Sequence, residues 1–227
     1  MKDIFSLQGK RAVVIGGTKG LGKGMAKALS QAGAVVAIAS RNERECEEQS
    51  KKLQSETEKT VYGIAGDIST CTGARRLIRK AEEKLGGIDI LVNSAGINIR
   101  KSSTDYTEQD WDKVQNVQLK GPFFTCQTAA KAMIDNNIKG RIINIASINA
   151  KIIARPDIVS YVAAKGAVMQ MTKALAVEWA AYGITVNSIA PGFFETEMTK
   201  VLFEDKEINR KLLEHIPAGR FGNPMSD

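Results

Sequence analysis

Six short apolar runs alternate along the chain with longer stretches of helical patterning, and this rhythm limits the folds open to it. The runs are Arg11–Ile15, Val35–Ala39, Val61–Ala65, Ile88–Val92, Ile142–Ile145 and Thr185–Ile189, each bounded by Gly, Asn, Asp or Ser. Their near-continuous hydrophobicity suits strands buried on both faces. Between them lie Leu21–Ala32, Glu43–Ser55, Thr70–Leu85, Glu108–Asn136 (broken near Gly121-Pro122) and Val159–Tyr182, all patterned as helices. Strand and helix in strict alternation give a parallel, doubly wound sheet of the α/β class, with helices on both faces. The 227 residues show no composition break, repeat or low-complexity segment, so one domain spanning 1–227 is expected.

Two of the helices lack a polar face. Between Tyr161 and Ala181 the full charges are Lys165, Lys173 and Glu178, and from Pro122 to Met133 there is Lys131 alone. A helix apolar nearly all round is buried on more than one side. One side lies on the sheet and the other is expected to meet a second copy, in a homodimer or homotetramer.

Several function classes fall away on composition. Met1–Lys10 has no apolar run and reads as no secretory signal, and no stretch approaches the roughly 20 apolar residues of a membrane helix. A cytoplasmic protein is expected, with no membrane partner. Cys46, Cys71 and Cys126 form no CxxC pair and His215 is the sole histidine, which argues against a metal site and against a Ser-His-Asp triad. The net charge of +7 is scattered and not interleaved with aromatics, so nucleic acid is not the expected partner. An anionic small molecule accounts for part of the excess.

The first strand runs directly into Gly16-Gly17-Thr18-Lys19-Gly20-Leu21-Gly22 and then a helix. Glycines there permit a tight turn and close approach of backbone to a pyrophosphate, and the helix offers free N–H groups and its positive end. A lone glycine cluster is only a turn; between a buried strand and a helix it marks a dinucleotide site. The second strand ends in Ser40-Arg41-Asn42. A carboxylate at this point suits the ribose hydroxyls of NAD(H), whereas arginine suits a 2′-phosphate. Arg41, with Lys19 in the glycine loop and no acid in view, favours NADP(H); NAD(H) stays possible, and the alternative is that both cations are merely solvated.

Other polar residues fall at strand carboxyl ends, where doubly wound sheets bind ligands. Asp67 and Ile68 follow the third run, Asn93, Ala95 and Gly96 the fourth, and Ser147 the fifth. Tyr161 and Lys165 are four residues apart on one helix face. A phenol titrates near ~10, too high for acid–base work at neutral pH, and an adjacent ammonium lowers it. Ser147 is placed to hold a substrate oxygen beside the phenol. Alone, such a Tyr–Lys pair recurs by chance on ordinary helices.

Taken together, the glycine loop, Asn93-Ser94-Ala95-Gly96, Ser147, Tyr161-x3-Lys165 and Pro191-Gly192 followed by Thr196 resemble the short-chain dehydrogenase/reductase family over essentially the whole chain. The resemblance implies a Rossmann-like fold, with Tyr161 as general acid/base, Lys165 on the nicotinamide ribose and lowering the tyrosine pKa, and Ser147 orienting substrate. It also implies that Pro191, Gly192 and Thr196 contact the nicotinamide, Asp67 lies near the adenine and Asn93 near the adenine-side ribose. Phe5-Ser6-Leu7, Ile142–Ser147, Glu178-Trp179-Ala180 and Ile216–Arg220 are most similar to the gluconate 5-dehydrogenase and 2-deoxygluconate 3-dehydrogenase branch. Arg100 and Arg155 are then candidates to pair with a sugar-acid carboxylate, each equally at home on the surface. A substrate loop is expected at about 193–216.

The chain also departs from the pattern. Ile15 stands where the family commonly has Thr and Ser94 where it has a second Asn, and Gln118 replaces a helix asparagine thought to hold a water linking the lysine to solvent. The interval from Ser147 to Tyr161 is one residue longer than usual. Relatives continue past Gly222-Asn223-Pro224 to a further helix and a final strand, so the sixth strand is expected at a sheet edge. The expected function is hydride transfer between NADP(H) and a small polyol or sugar acid. The alternatives are a 3-oxoacyl-thioester reductase and a cofactor-binding protein with little turnover.

Overall fold

The structure is a computed structural model and describes residues 4–153, 155–197, 199–200 and 206–227. Its centre is a six-stranded sheet of β1 (Arg11–Ile15), β2 (Val35–Ser40), β3 (Val61–Ala65), β4 (Ile90–Asn93), β5 (Arg141–Ile145) and β6 (Thr185–Ile189), in the order β3-β2-β1-β4-β5-β6. The strand pairings are parallel, with Ile15 beside both Ala39 and Asn93, Asn93 beside Asn144, and Ile145 beside Ile189. The strands therefore finish at one level. The order reverses between β1 and β4, which opens a crevice at their carboxyl ends.

The helices are α1 (Gly20–Gln31), α2 (Glu43–Thr57), α3 (Cys71–Leu85), α4 (Glu108–Gln115), α5 (Gly121–Asp135), α6 (Val159–Trp179) and α7 (Lys206–Leu213). Alternate residues of each central strand feed two cores. Val13, Ile15 and Leu91 join α3, α5 and α6 through Leu77, Met133, Leu175 and Trp179. Ala12, Val14, Val36 and Val92 pack on the other face against Ala26 of α1 and Leu53 of α2. This is the double burial that the apolar runs require. β6 is the exception: Val186 is buried, but Thr185, Asn187 and Ile189 on the opposite face are exposed. The expectation of burial on both faces fails there because β6 is an edge strand whose second face has no helix over it among the described residues.

The long helical pattern at 108–136 is interrupted by a π-turn, Asn116–Lys120, in which the Gly121 N–H donates to the Asn116 carbonyl. Pro122 supplies the reason: it has no N–H to continue an α-helical ladder. The break thus begins five residues before Gly121-Pro122 and places Gln118 inside the turn. Among the described residues no helix is long and apolar enough to cross a membrane. Part of the expected substrate loop, residues 198 and 201–205, lies outside the described residues.

Residues 219–227 strap the 193–196 segment to α1. Gly222 N donates to Phe193 O (2.9 Å) and Glu195 N to Gly222 O (3.1 Å). The Pro224 carbonyl sits where a Cβ on Gly24 of α1 would come within 1.8 Å, and Arg220 holds Asp227 through two nitrogens at 2.6 and 3.1 Å.

Candidate active site

A cleft of about 780 Å³ opens along the carboxyl ends of the strands. Its floor is the turn from β1 to α1. Gly16 has φ +77°, and a Cβ there would lie 2.6 Å from the Ala95 amide; one on Gly22 would lie 2.1 Å from the Gly16 carbonyl. Neither could carry a side chain without moving backbone. α2, α3 and α4 each begin with a side-chain cap, from Asn42, Thr70 and Thr107. The N-terminus of α1 has none, and its first turn holds no acidic residue. Unsatisfied N–H groups and the positive helix end therefore face the cleft, a cradle that fits a pyrophosphate.

Of the residues expected around a dinucleotide, Gly16, Thr18, Lys19, Gly20, Leu21, Gly22, Ser40, Arg41, Asn42, Asp67, Ile68, Ala95, Gly96, Pro191, Gly192 and Thr196 all line this cleft. Thr196 closes over the loop, its methyl 3.2 Å from where a Cβ on Gly20 would be. Asn93 does not line it. Its amide donates to Asn144 Oδ1 (2.9 Å) and Cys126 Sγ (3.2 Å), and its oxygen accepts from Thr125 (2.8 Å), all inside the core. Asn93 is expected near the adenine-side ribose, and its side chain has no part in that: it is engaged in the network joining β4, β5 and α5. Cys126 in that network is pushed up to about 12 by burial and is an inert thiol.

The reading of an acid-free adenine end is also corrected. Glu45, in the first turn of α2, lines the cleft beside Arg41, and its carboxylate pairs with Lys19 Nζ at 3.1 Å. The signal was present in the sequence, one helical turn past Arg41, but sat in a run of charges that resembles any solvated helix face.

The chemistry-bearing residues converge at the opposite wall. β5 delivers Ser147, buried, whose oxygen accepts from the Asn149 backbone N–H at 3.2 Å. Tyr161 and Lys165 project from the first turns of α6. The Tyr161 phenol is hydrogen-bonded to the Ser147 side chain. Burial pushes the phenol up from its ordinary value, and that hydrogen bond opposes the rise. Lys165 is buried, its Nζ donating to the Ile145 carbonyl at 2.6 Å and lying 5.7 Å from the Tyr161 ring centre. Desolvation brings its amine down to about 8. Burial and the Ser147 hydrogen bond are thus what act on the phenol here, while the Lys165 amine is turned to the Ile145 carbonyl.

Gln118 lines the cleft, almost wholly buried. Its amide nitrogen donates to the Ile97 carbonyl, and its oxygen has no hydrogen-bond partner among the described residues. A Cβ on Gly96 would lie 2.9 Å from that nitrogen, so the glutamine fills space that Gly96 leaves open. Arg100 and Arg155 do not line the cleft. They belong to two loops joined by the hydrogen bond from Lys101 N to Asp157 O (3.1 Å), and they stand near enough that burial and the Arg155 charge both lower Arg100. Arg155 Nε and Nη1 are buried without a hydrogen-bond partner among the described residues. His215 is exposed and away from the cleft.

The sequence pattern of the short chain dehydrogenase family matches residues 10–207. The chain is 40% identical over 224 residues to the 2-dehydro-3-deoxy-D-gluconate 5-dehydrogenase of Dickeya dadantii, covering 98% of this chain and 87% of that protein. It is 36% identical over 223 residues to the gluconate 5-dehydrogenase of Gluconobacter oxydans, covering 97% and 85%. The crystal structure of a gluconate 5-dehydrogenase from Burkholderia cenocepacia, in complex with NADP and tartrate, superimposes with a TM-score of 0.93 at 37% identity, covering 98% of this chain and 86% of that one.

Proposed function

The chain belongs to the short-chain dehydrogenase family, and from that premise we propose that it transfers a hydride between NADP(H) and a small polyol or sugar acid, with NAD(H) as a second cofactor. The observation that carries this reading is the meeting of Ser147, Tyr161 and Lys165 on the wall of a cleft whose floor is the uncapped end of α1. The dinucleotide supplies or accepts the hydride when bound. Gly16 to Gly22 and the α1 N–H groups would hold its pyrophosphate, Arg41 would take the 2′-phosphate, and Asp67 and Ile68 would flank the adenine. Ala95, Gly96, Pro191, Gly192 and Thr196 line the stretch toward the nicotinamide.

Ser147 donates a hydrogen bond to the substrate oxygen and fixes it at the phenol. Burial keeps the Tyr161 phenol protonated at neutral pH, which suits reduction: Tyr161 Oη gives its proton to the oxygen as the carbonyl carbon gains hydride. In oxidation Tyr161 takes that proton, and Lys165 stabilises the phenolate. Gln118 is assigned to the proton path beyond Lys165 through its unpartnered oxygen. Arg155 and Arg100 lie outside the cleft lining, on loops that continue from its residues Ser147 and Asn98, and they are assigned to a substrate carboxylate because two Arg155 donors have no hydrogen-bond partner among the described residues. The exposure of Val177 on α6, at 81%, supports self-association as a homodimer or homotetramer; light scattering tests it.

A turnover panel with NADPH and NADP⁺ against sugar acids, neutral polyols and 3-oxoacyl thioesters tests the assignment. Sugar acids should turn over best, and Arg155→Leu should raise their KM about tenfold or more while leaving neutral polyols within about threefold, as expected for loss of a charged hydrogen bond. Preference for thioesters would redirect the substrate assignment. Binding of NADPH without turnover on any member would leave a cofactor-binding protein.

A further inference from the structure

Glu45 belongs to the cleft and has no place in the function proposed so far. Its backbone N–H donates to the Asn42 side chain at 3.1 Å, which fixes the first turn of α2 and with it the carboxylate. One carboxylate oxygen meets Lys19 Nζ at 3.1 Å; the glutamate side chain is 23% exposed and the lysine 64%. The Thr18 hydroxyl also donates to it, and these contacts, the Thr18 bond foremost and then Lys19, hold the carboxyl below the ordinary range against partial burial. A carboxylate in the first turn of a helix is further favoured by the helix dipole. Glu45 is thus ionised at neutral pH, tied to one of the two cations that face the 2′ position of the adenine-side ribose. Counting Arg41 and Lys19 against Glu45, the formal charge at that end is +1 and not the +2 that the two cations alone give.

Resting on the NADP(H) reading above, we propose that Glu45 is a specificity-determining residue, which holds Lys19 back from a 2′-phosphate and sets a negative charge against it. Discrimination between NADP(H) and NAD(H) then rests on Arg41, and a phosphate must compete with a carboxylate for the lysine. The chain consequently keeps access to NAD(H) that a free Lys19–Arg41 pair would suppress. The pair is partly solvated, so the effect is one of severalfold and weakens as salt rises.

The test is direct binding of NADPH and NADH, by calorimetry and nicotinamide fluorescence, to the wild type, Glu45→Gln, Lys19→Ala and the double variant. Glu45→Gln should tighten NADPH about three- to tenfold and leave NADH within about twofold. In the Lys19→Ala background most of that gain should vanish, because the glutamate then has no lysine to withhold. Unchanged or weaker NADPH binding in Glu45→Gln, with an unaltered thermal midpoint, overturns the inference. So does a loss of NADH affinity beyond about threefold, which would make Glu45 a ligand of the ribose hydroxyls. Should the wild type bind neither dinucleotide, the dinucleotide reading itself fails, a result distinct from either of these.

Discussion

Replacing Lys165 by Met should make the folded chain more stable at neutral pH while abolishing its turnover. The amine is buried against the sheet and brought down to about 8 from an ordinary 10.5. Between those two values the unfolded chain holds a proton that the folded chain has released, so wild-type stability rises with pH across that window. Below about 8 the fold carries the whole cost of the buried charge. At about 1.4 kcal/mol per pH unit, the gap amounts to about 3 kcal/mol. Methionine is of similar length and escapes that cost, but it abandons the hydrogen bond to the Ile145 carbonyl at 2.6 Å. An unsatisfied buried carbonyl costs about 1–3 kcal/mol, which leaves a net gain near pH 7 of about 1 kcal/mol. The pH dependence is the sharper quantity, because the lost hydrogen bond adds a constant. Urea unfolding of both proteins should show the variant's advantage shrinking by about 2 kcal/mol between pH 7.5 and pH 10, as the wild type recovers. A stability difference that stays flat across that range, or widens, would refute the argument that Lys165 is held in the fold at the expense of its charge.

Tyr161→Phe should lower kcat by about 10²–10⁴-fold and leave NADPH affinity within about threefold, since the proposed function gives the proton to the phenol and the cofactor to the glycine loop; single-turnover kinetics and a binding titration read the two separately. Arg41→Asp should weaken NADPH more than about tenfold and turn the preference toward NADH, measured as the ratio of the two dissociation constants. Gly22→Ala should destabilise the chain by about 1–3 kcal/mol and weaken both dinucleotides, because its Cβ would meet the Gly16 carbonyl at 2.1 Å. Wild-type melting and binding in that variant would show that the loop tolerates the side chain.

The sheet was legible because parallel strands covered by helices have little choice but continuous apolar runs, and Ala12–Ile15 or Val36–Ala39 can serve as little else. β6 misled because Thr185-Val186-Asn187-Ser188-Ile189 has only two apolar residues, Val186 and Ile189, too few for a strand buried on both faces. The π-turn was half visible: Gly121-Pro122 announced an interruption, but where a missing N–H is absorbed depends on packing against Ile97 and Gly96, which are distant in sequence. Asn93 was assigned by position in a motif, and position cannot tell which way a side chain leaves an interior strand. The Tyr161–Lys165 spacing was plain, yet the electrostatics were not. Desolvation depends on what covers the pair, and the sequence does not give the Ile145 carbonyl as a neighbour. Glu45 was hidden by its own company, a helix face dense with Glu, Arg and Gln.

The strap at residues 219–227 means that the mouth of the cleft is built from segments about 200 residues apart in sequence, since Pro224 meets Gly24. α1 and the glycine loop can be laid down with the first strands, but the 193–196 segment is pinned over them only when Gly222 and Pro224 arrive. Contacts between segments so far apart in sequence repay their loop-closure entropy late, after the sheet has organised the intervening chain. The contact that ties the cover to α1, between Pro224 and Gly24, thus spans far more of the chain than the contact between Gly16 and Gly22 within the cradle.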